Sequence, residues 1–494
     1  MSVPNPECPG CRVLQARVAQ LESQLAQLPA IEAELTHLRA CVAQLQTLQA
    51  QLEARLNQNS QNSSRPPSSD PPHAPQRPSK PTPSGRKPGA QPGHKGTTRF
   101  LKPTHACHHV LPFFPPTCAH CHASLPMEPS PEAPPPRRHQ VLDLPPVLIE
   151  TTEYQCYARC CPHCQTLTWA ELPPAVPQGL FGPRLQAVCA LLVGRHRLTR
   201  RSLQEWLLEV GGEAVSLGCL IDLEARTTRA LQVGYEQVRE AVAAAAVVNA
   251  DETPWRQGGD KAWLWSAGTA ELSLFRIDRH RSRAAFELLL PPRKDGSRRT
   301  VICDRYSAYQ HLQGDERQVC WAHLLREFRE LSQMTGEARR LGEALLGATG
   351  WLFELWHAYR KGEIAWSELP GWMGRVQAQF ALLLGLAKKS EHWRAGPLGR
   401  ELLKQWECLW TFVRWEGVEP TNNAGERAVR PGVLWRKSSF GNHGASGRAF
   451  VERILTVVGS LRRQGRDVLS YLEGAIRAAQ QGVAPPLLLP EPPG

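Results

Sequence analysis

No stretch of this chain approaches the run of about 18 apolar residues that a helix needs to cross a bilayer, and its opening residues, MSVPNPECPGCR, hold no apolar core of the secretory kind. The expectation is a cytoplasmic protein with no membrane partner. Acidic side chains are also in short supply: 46 Asp and Glu face 58 Lys and Arg, a formal charge of +12. Such an excess suits a polyanion, nucleic acid before anionic membrane, and says nothing about fold. Apolar material is ample, at 41% of 494 residues, enough for the cores of roughly two to four domains. The 15 cysteines, in a reducing compartment, point away from disulfides and towards metal ligation or plain burial.

From Leu14 to Leu56 apolar residues recur in steps of four and three: Leu14, Val18, Leu21, Leu25, Leu28, then Ile31, Leu35, Leu38, Val42 and Leu45. This is coiled-coil spacing, with a stammer and a break expected near Pro29. It assigns residues 1–56 to a segment that joins copies of the chain into a homo-oligomer; a single amphipathic helix packed on its own protein has the same spacing. Cys8 and Cys11, just before it, are half of a metal site or an incidental pair. Residues 57–104 carry 11 prolines and eight Lys or Arg against Asp70 alone, a composition that builds no core and reads as a basic flexible linker. Within it Gly85-Arg86-Lys87-Pro88-Gly89 is either an arm for a DNA minor groove, through Arg86 and Lys87, or solvated chain.

Residues 105–172 hold Cys118-x-x-Cys121 and Cys161-x-x-Cys164. Two such pairs can offer four thiolates to a structural Zn²⁺, each pair folding as a knuckle, with Val141 to Tyr157 as strand-forming sequence that returns the chain. Cys160 in place of Cys161, or buried thiols without metal, are the other readings, and Cys156 lies close by. Farther on, Arg200 to Leu208, a Gly211-Gly212 turn and Ser216 to Glu224 read as a helix-turn-helix over residues 180–235, with Ser216 as N-cap of the second helix. In a DNA reader that second helix enters the major groove. The basic approach Arg195-His-Arg-Leu-Thr-Arg200-Arg201 favours DNA, although helical hairpins are common in all proteins.

The run Ala246-Val-Val-Asn-Ala-Asp-Glu-Thr-Pro-Trp255 fits a short buried strand that delivers Asp251 and Glu252 and is stopped by Pro254. A carboxylate at such a place is costly unless cations or donors meet it. Of the two, only one can face a shared site, because neighbouring strand side chains alternate. Strands around Lys261–Trp265 and Leu272–Asp278, a helix over Arg281–Leu290, and a strand through Thr300–Cys303 ending at Asp304 follow. This order suits a mixed sheet flanked by helices with its first and fourth strands adjacent, so that Asp251 and Asp304 face each other. Gln318 to Phe328 passes from strand into helix, residues 330–415 read as a helical insertion, and Asn423, Glu426 and Arg430 share one helical face beyond it. From Arg427 to Arg448 there are five Arg or Lys and no acid, a surface for DNA phosphates. Three acids on separate elements can hold two divalent cations, Mg²⁺ before others, about 3.5 to 4 Å apart for phosphoryl transfer. Read singly, each is a surface carboxylate.

Asp251-Glu-Thr, Cys303-Asp-Arg-Tyr-Ser-Ala-Tyr309, Cys320-Trp-Ala-His323 and Thr421-Asn-Asn-Ala-Gly-Glu-Arg427 resemble the motifs of the DDE transposases of the insertion sequence 66 family. The likeness extends from the zipper-like N-terminus through the Gly-Arg-Lys-Pro-Gly arm and the cysteine pairs to the short C-terminal segment. It implies a multidomain α+β chain with an RNase H-like catalytic domain over 236–448, interrupted by helices at about 330–415 and followed by a helical segment at 449–494. It implies Asp251, Asp304 and Glu426 as ligands of two Mg²⁺ or Mn²⁺ ions, and element ends and target DNA as partners in the nucleoid. Accessory proteins encoded by the same element are implied as well. On this reading Asn423, Arg427, Arg430 and Lys437 position DNA, while His323 is a polar neighbour of the metals or an ordinary helix-start residue. Competing readings are an inactive transposase kept as a DNA-binding regulator, and a nuclease that cuts without joining.

Overall fold

The computed structural model describes residues 9–63, 70, 101–128, 135–142, 145, 148–160, 162–173, 176–177, 179–293 and 295–489. Cys8, Arg86, Lys87 and Cys161 lie outside the described residues, as does the side chain of Cys11. The chain divides into two compact units, Pro75–Thr152 and the combination of Met1–Ala74 with Glu153–Gly494. Among the described residues no helix is long and apolar enough to cross a membrane.

Helix α1 spans Pro9–Leu56 without interruption. The break expected at Pro29 does not occur: a proline removes one backbone hydrogen bond and crowds the preceding turn, and the long helical stretches on either side carry the axis through it. Its apolar stripe lies open to solvent, from Leu14 and Val18 through Leu25 and Leu35 to Leu56, each about half exposed or more. Just beyond its end, Asn62 Nδ2 donates to Gln333 Oε1 at 2.6 Å.

In the smaller unit, Cys118 to Cys121 forms a tight turn, closed by Cys118 N–H to the Ala123 carbonyl (2.8 Å) and by His122 N–H to the Cys118 carbonyl (3.0 Å). The N–H of His120 points at Cys118 Sγ at 3.4 Å, and backbone donors from Cys121 and His120 draw this thiol below its ordinary range. Among the described residues of 141–157 no strand forms, contrary to expectation; Pro145 and Pro146 interrupt the run, and proline cannot donate to a ladder. Strands occur instead in the larger unit at β1, Ala158–Cys160, and β2, Leu167–Trp169, an antiparallel hairpin with Cys160 opposite Leu167 and Cys164 in its turn. Among the described residues no three His, Cys, Asp or Glu side chains are gathered to hold an ion.

Four helices follow: α2 (Pro183–Gly194), α3 (Arg200–Glu209), α4 (Leu217–Ala230) and α5 (Gln232–Ala244). Ser216 caps α4 as expected, accepting from the Cys219 N–H at 3.2 Å, and Thr199 caps α3 by accepting from the Ser202 N–H at 3.1 Å, each meeting a donor that a helix start leaves open. Gly212, at φ +73°, makes the turn between α3 and α4.

The sheet is built from β3 (Val247–Gln257), β4 (Asp260–Gly268), β5 (Ser273–Asp278), β6 (Thr300–Cys303) and β7 (Arg317–Val319), with α6 (Arg283–Leu289) before β6. Their order is β5-β4-β3-β6-β7, and β4 alone runs against the rest. The first and fourth strands are thus neighbours, as expected. Pro254 does not stop β3, which stays paired with β4 out to Gln257. Its carbonyl accepts from Arg436 Nη1 at 2.7 Å; because a strand residue's N–H and C=O point to one side, the missing donor falls on the side away from β4. Among the described residues no strand pairs there beyond Asn249, which is where a sheet tolerates proline.

After β7 come α7 (Trp321–Ser332) and the inserted helices α8 (Gly336–Arg360), α9 (Leu369–Lys389), α10 (Ala395–Lys404), α11 (Trp406–Leu409) and α12 (Thr411–Arg414). One apolar core runs from Ile302 and Val319 of the sheet into these helices around Trp321, Phe380, Trp410 and Phe412. The chain then returns to the sheet through α13 (Asn423–Ser439) and α14 (Gly444–Arg463) and closes with α15 (Val468–Gln481).

Helix α14 covers the open edge of β5. Glu452, Thr456 and Ser460, one turn apart, accept the N–H groups of Ile277 (2.7 Å), Phe275 (3.0 Å) and Ser273 (3.0 Å). Thr456 and Ser460 are fully buried, so each side chain stands in for a missing strand. Thr456→Val keeps the shape and orphans the Phe275 N–H; the expected loss of stability is about 1–3 kcal/mol, read from urea unfolding.

A carboxylate site at the open edge of the central strand

Asp251 and Asp304 come together through strand register. Asn249 pairs with Ile302 in the parallel β3–β6 ladder, so two residues further on in each strand the two aspartates stand level. Asp304, just past the end of β6, turns the chain: its Oδ1 accepts the Tyr306 N–H at 2.9 Å, and Arg317 Nη2 holds its carbonyl at 2.8 Å. Asp251 Oδ1 accepts the Glu252 N–H at 2.9 Å. Burial lifts the proton affinity of Asp251 well above the carboxylate norm, with Glu252, Asp304 and Glu426 adding repulsion.

Glu426 arrives from the far side of the insertion, in the first turn of α13, where the helix dipole favours a negative charge. What sets α13 there is Asn422, only 1% exposed. Its Nδ2 donates to the Ala250 carbonyl at 2.6 Å, its Oδ1 accepts from Asn249 Nδ2 at 2.9 Å, and its N–H points at Cys320 Sγ at 3.1 Å. Gly425 is required beneath it, since a Cβ there would meet Asn422 Oδ1 at 2.5 Å. Farther along, Gly432 lets α13 lie against Leu264 of β4, where a Cβ would come within 2.2 Å. Asn442 completes the cover of β3 by giving its N–H to the Arg256 carbonyl at 3.1 Å.

Glu426 Oε1 is buried with no hydrogen-bond partner, and so is His323 Nδ1. They lie 3.8 Å apart, with Arg326 Nη2 at 3.7 Å from the same oxygen. His323 is thus both a first-turn residue of α7 and a neighbour of the carboxylates; burial, then Arg326, lowers its proton affinity. Carboxylate oxygens of this kind are the donors that hard divalent cations take, although among the described residues the three acids are not gathered closely enough to hold an ion as they stand.

Glu252 lies on the other face of β3, its side chain 1% exposed. Arg281 Nε and Nη2 donate to its Oε1 at 2.9 and 2.5 Å, and the Tyr309 hydroxyl donates to Oε2. Burial raises its proton affinity, with Asp304 adding to the effect and Tyr309 and Arg281 opposing it. The Arg281 guanidinium stacks 3.5 Å from the Tyr306 ring centroid, and the Tyr306 hydroxyl returns a bond to the Arg281 carbonyl at 2.6 Å. This network underlies the turn that carries Asp304.

Of the side chains expected at DNA, Arg201, Asn423, Arg427, Arg430 and Lys437 are exposed. Arg200 is held instead by Glu224 through two bonds of 2.8 and 2.6 Å, with Glu224 buried. Asn422 and Arg281 escaped the sequence reading. Asn422 looks like its neighbour Asn423, and only the offset of three to Gly425 hinted that one of them packs. Nothing local marks Arg281 as the partner of an acid 29 positions earlier.

The family model described as Transposase IS66 family matches residues 178–448, and one described as a family of unknown function matches residues 11–100. An uncharacterized protein of Sinorhizobium fredii, y4qI, is 26% identical over 285 residues, 51% of each chain. The chain thus spans about half the length of that curated relative. The transposase match covers more than half of the chain and contains the whole sheet, Asp251, Asp304 and Glu426, and the chain belongs to the IS66 family of transposases.

Proposed function

We propose that this chain is a DNA transposase that cuts at the ends of its own mobile element and joins them to target DNA, with an RNase H-like catalytic domain whose ligands are Asp251, Asp304 and Glu426. The single observation that carries the reading is that β3, the end of β6 and the first turn of α13 bring Asp304 and Glu426 near enough to Asp251 to repel its charge. Membership of a DDE family implies divalent metal. Two Mg²⁺ or Mn²⁺ ions, when bound, supply an activated oxygen nucleophile and offset charge at phosphorus. Water is the first nucleophile, and the exposed 3′-hydroxyl then attacks the target, so no covalent protein intermediate is needed.

Asn423, Arg427, Arg430 and Lys437 hold the DNA backbone beside the carboxylates, Arg201 and the Arg86-Lys87 arm add outlying phosphate contacts, and Asn422 keeps α13 in register with β3. The open stripe of α1 pairs with that of a second copy, as apolar helix surface of this extent is stable when covered. The Cys118-Cys121 turn, with its N–H groups aimed at sulfur, contributes two thiolates to a structural zinc site. Accessory proteins of the same element take part in the reaction.

The test is a strand-transfer assay on pre-nicked element ends in Mg²⁺, with and without chelator. Joining that chelator abolishes is the expected result. Cutting without joining indicates a nuclease, and binding without either indicates a regulator; each overturns the proposal.

A further inference from the structure

A second basic feature sits beside α13, where the ends of α2 and α14 meet. Arg195 caps the C-terminus of α2, Arg462 and Arg463 lie in the last turn of α14, and Arg427 projects from α13. These four line one open cavity of about 330 Å³, with Pro431 and Gly459 among its walls. Close helix packing fixes it: a Cβ on Gly194 would meet Ile454 Cγ1 at 2.4 Å, and one on Gly459 would meet Ser273 Cβ at 3.2 Å. The arginine ends are therefore presented by a rigid floor.

Arg463 serves as scaffold. Its Nη1 donates to the Thr269 carbonyl at 2.8 Å and its Nη2 to the Ala424 carbonyl at 3.2 Å, which ties the cavity to the first turn of α13. Among the described residues, Arg195, Arg427, Arg462 and Arg463 take part in no ion pair with a carboxylate, whereas Arg339, Arg360, Arg394 and Arg414 of the insertion do. Burial lowers the proton affinity of Arg195, with Arg462 and Arg197 adding repulsion, and burial followed by Arg427 does the same to Arg463. Like charges gathered on a fixed floor without acids are costly unless an anion completes them.

We propose that this cavity is a binding site for the DNA sugar–phosphate backbone, in which Arg195 and Arg462 each take a phosphate of the strand that leads to the carboxylate site. The inference rests on the transposase reading. DNA is favoured over a small free anion because the cavity is open and continues along α13: Arg427 belongs to it and is the residue after Glu426, with Arg430 exposed one turn on. A strand held here passes directly to the carboxylates. The site is sequence-independent, since guanidinium contacts to phosphate position a duplex without reading bases.

The test uses the full-length protein and a labelled duplex of about 30 base pairs of arbitrary sequence, with affinity measured between about 50 and 200 mM salt. Each lost phosphate contact lowers the slope of log K against log salt by about 0.9, so R195Q/R462Q is expected to reduce it by about 1.8. R195K/R462K is expected to keep most of the slope, and the charge-matched R340Q/R375Q on α8 and α9 to leave it unchanged. An unaltered slope in R195Q/R462Q overturns the site, as does an equal drop in R340Q/R375Q, which would report net charge alone. Equal loss in the lysine variant assigns the pair to packing and overturns the site too. In all three cases salt-dependent binding by the unmodified chain leaves the transposase reading standing; its absence there sinks both.

Discussion

Asp304→Asn is expected to lower metal-dependent strand cleavage by at least about a thousandfold, equivalent to about 4 kcal/mol of transition-state stabilisation, while DNA binding stays within about twofold. Asparagine keeps the oxygen that accepts the Tyr306 N–H, so the turn after β6 persists. It removes one of the charges that repel Asp251 and Glu252, both of which feel Asp304. Thermal stability should therefore hold or rise, as happens when a site selected for function gives up repulsive charge. Cleavage and melting measured on the same preparation settle the matter. Undiminished cleavage removes Asp304 from the site, and a lower melting temperature makes it a structural residue.

Arg281→Met is expected to destabilise the fold by about 3–5 kcal/mol, the range found when one partner of a buried ion pair is removed. Glu252 is nearly closed to solvent, and without the guanidinium it keeps, among the described residues, the Tyr309 hydroxyl as its one side-chain donor. The stacking of Arg281 on Tyr306 is lost as well, which loosens the turn at Asp304, so cleavage should fall too. Adding Glu252→Gln removes the orphaned charge and should recover a substantial part of the stability. Urea unfolding of the two single variants and the double gives the coupling directly; independent, additive effects would show that Arg281 and Glu252 do not act as a pair.

Much of the site was legible because its signals are local. TVIC followed by Asp304 is a short apolar run ending in an acid, and the matching run before Asp251 has the same form; two such strands suit a parallel pair. Ser216 as a cap, the Gly211-Gly212 turn and the apolar helices of the insertion were visible for the same reason, since caps, turns and periodicity act over a few residues. The prolines misled. Pro29 and Pro254 each break a rule of regular structure, and each is accommodated by its surroundings, one in a long helix and the other on the unpaired side of a strand.

What the sequence by itself determined is the order of the strands and helix on which Asp251, Asp304 and Glu426 stand, and the family to which the chain belongs. The tertiary structure decided how those elements meet. Asn422 rather than Asn423 clamps α13 to β3, Glu452, Thr456 and Ser460 replace a strand along β5, Arg281 meets Glu252, and four arginines from three helices share one cavity. The physical reason is range. Apolar periodicity and capping are satisfied within a turn or a strand, whereas a sheet edge, a buried carboxylate or a cluster of like charges finds its partners only where distant segments are packed together.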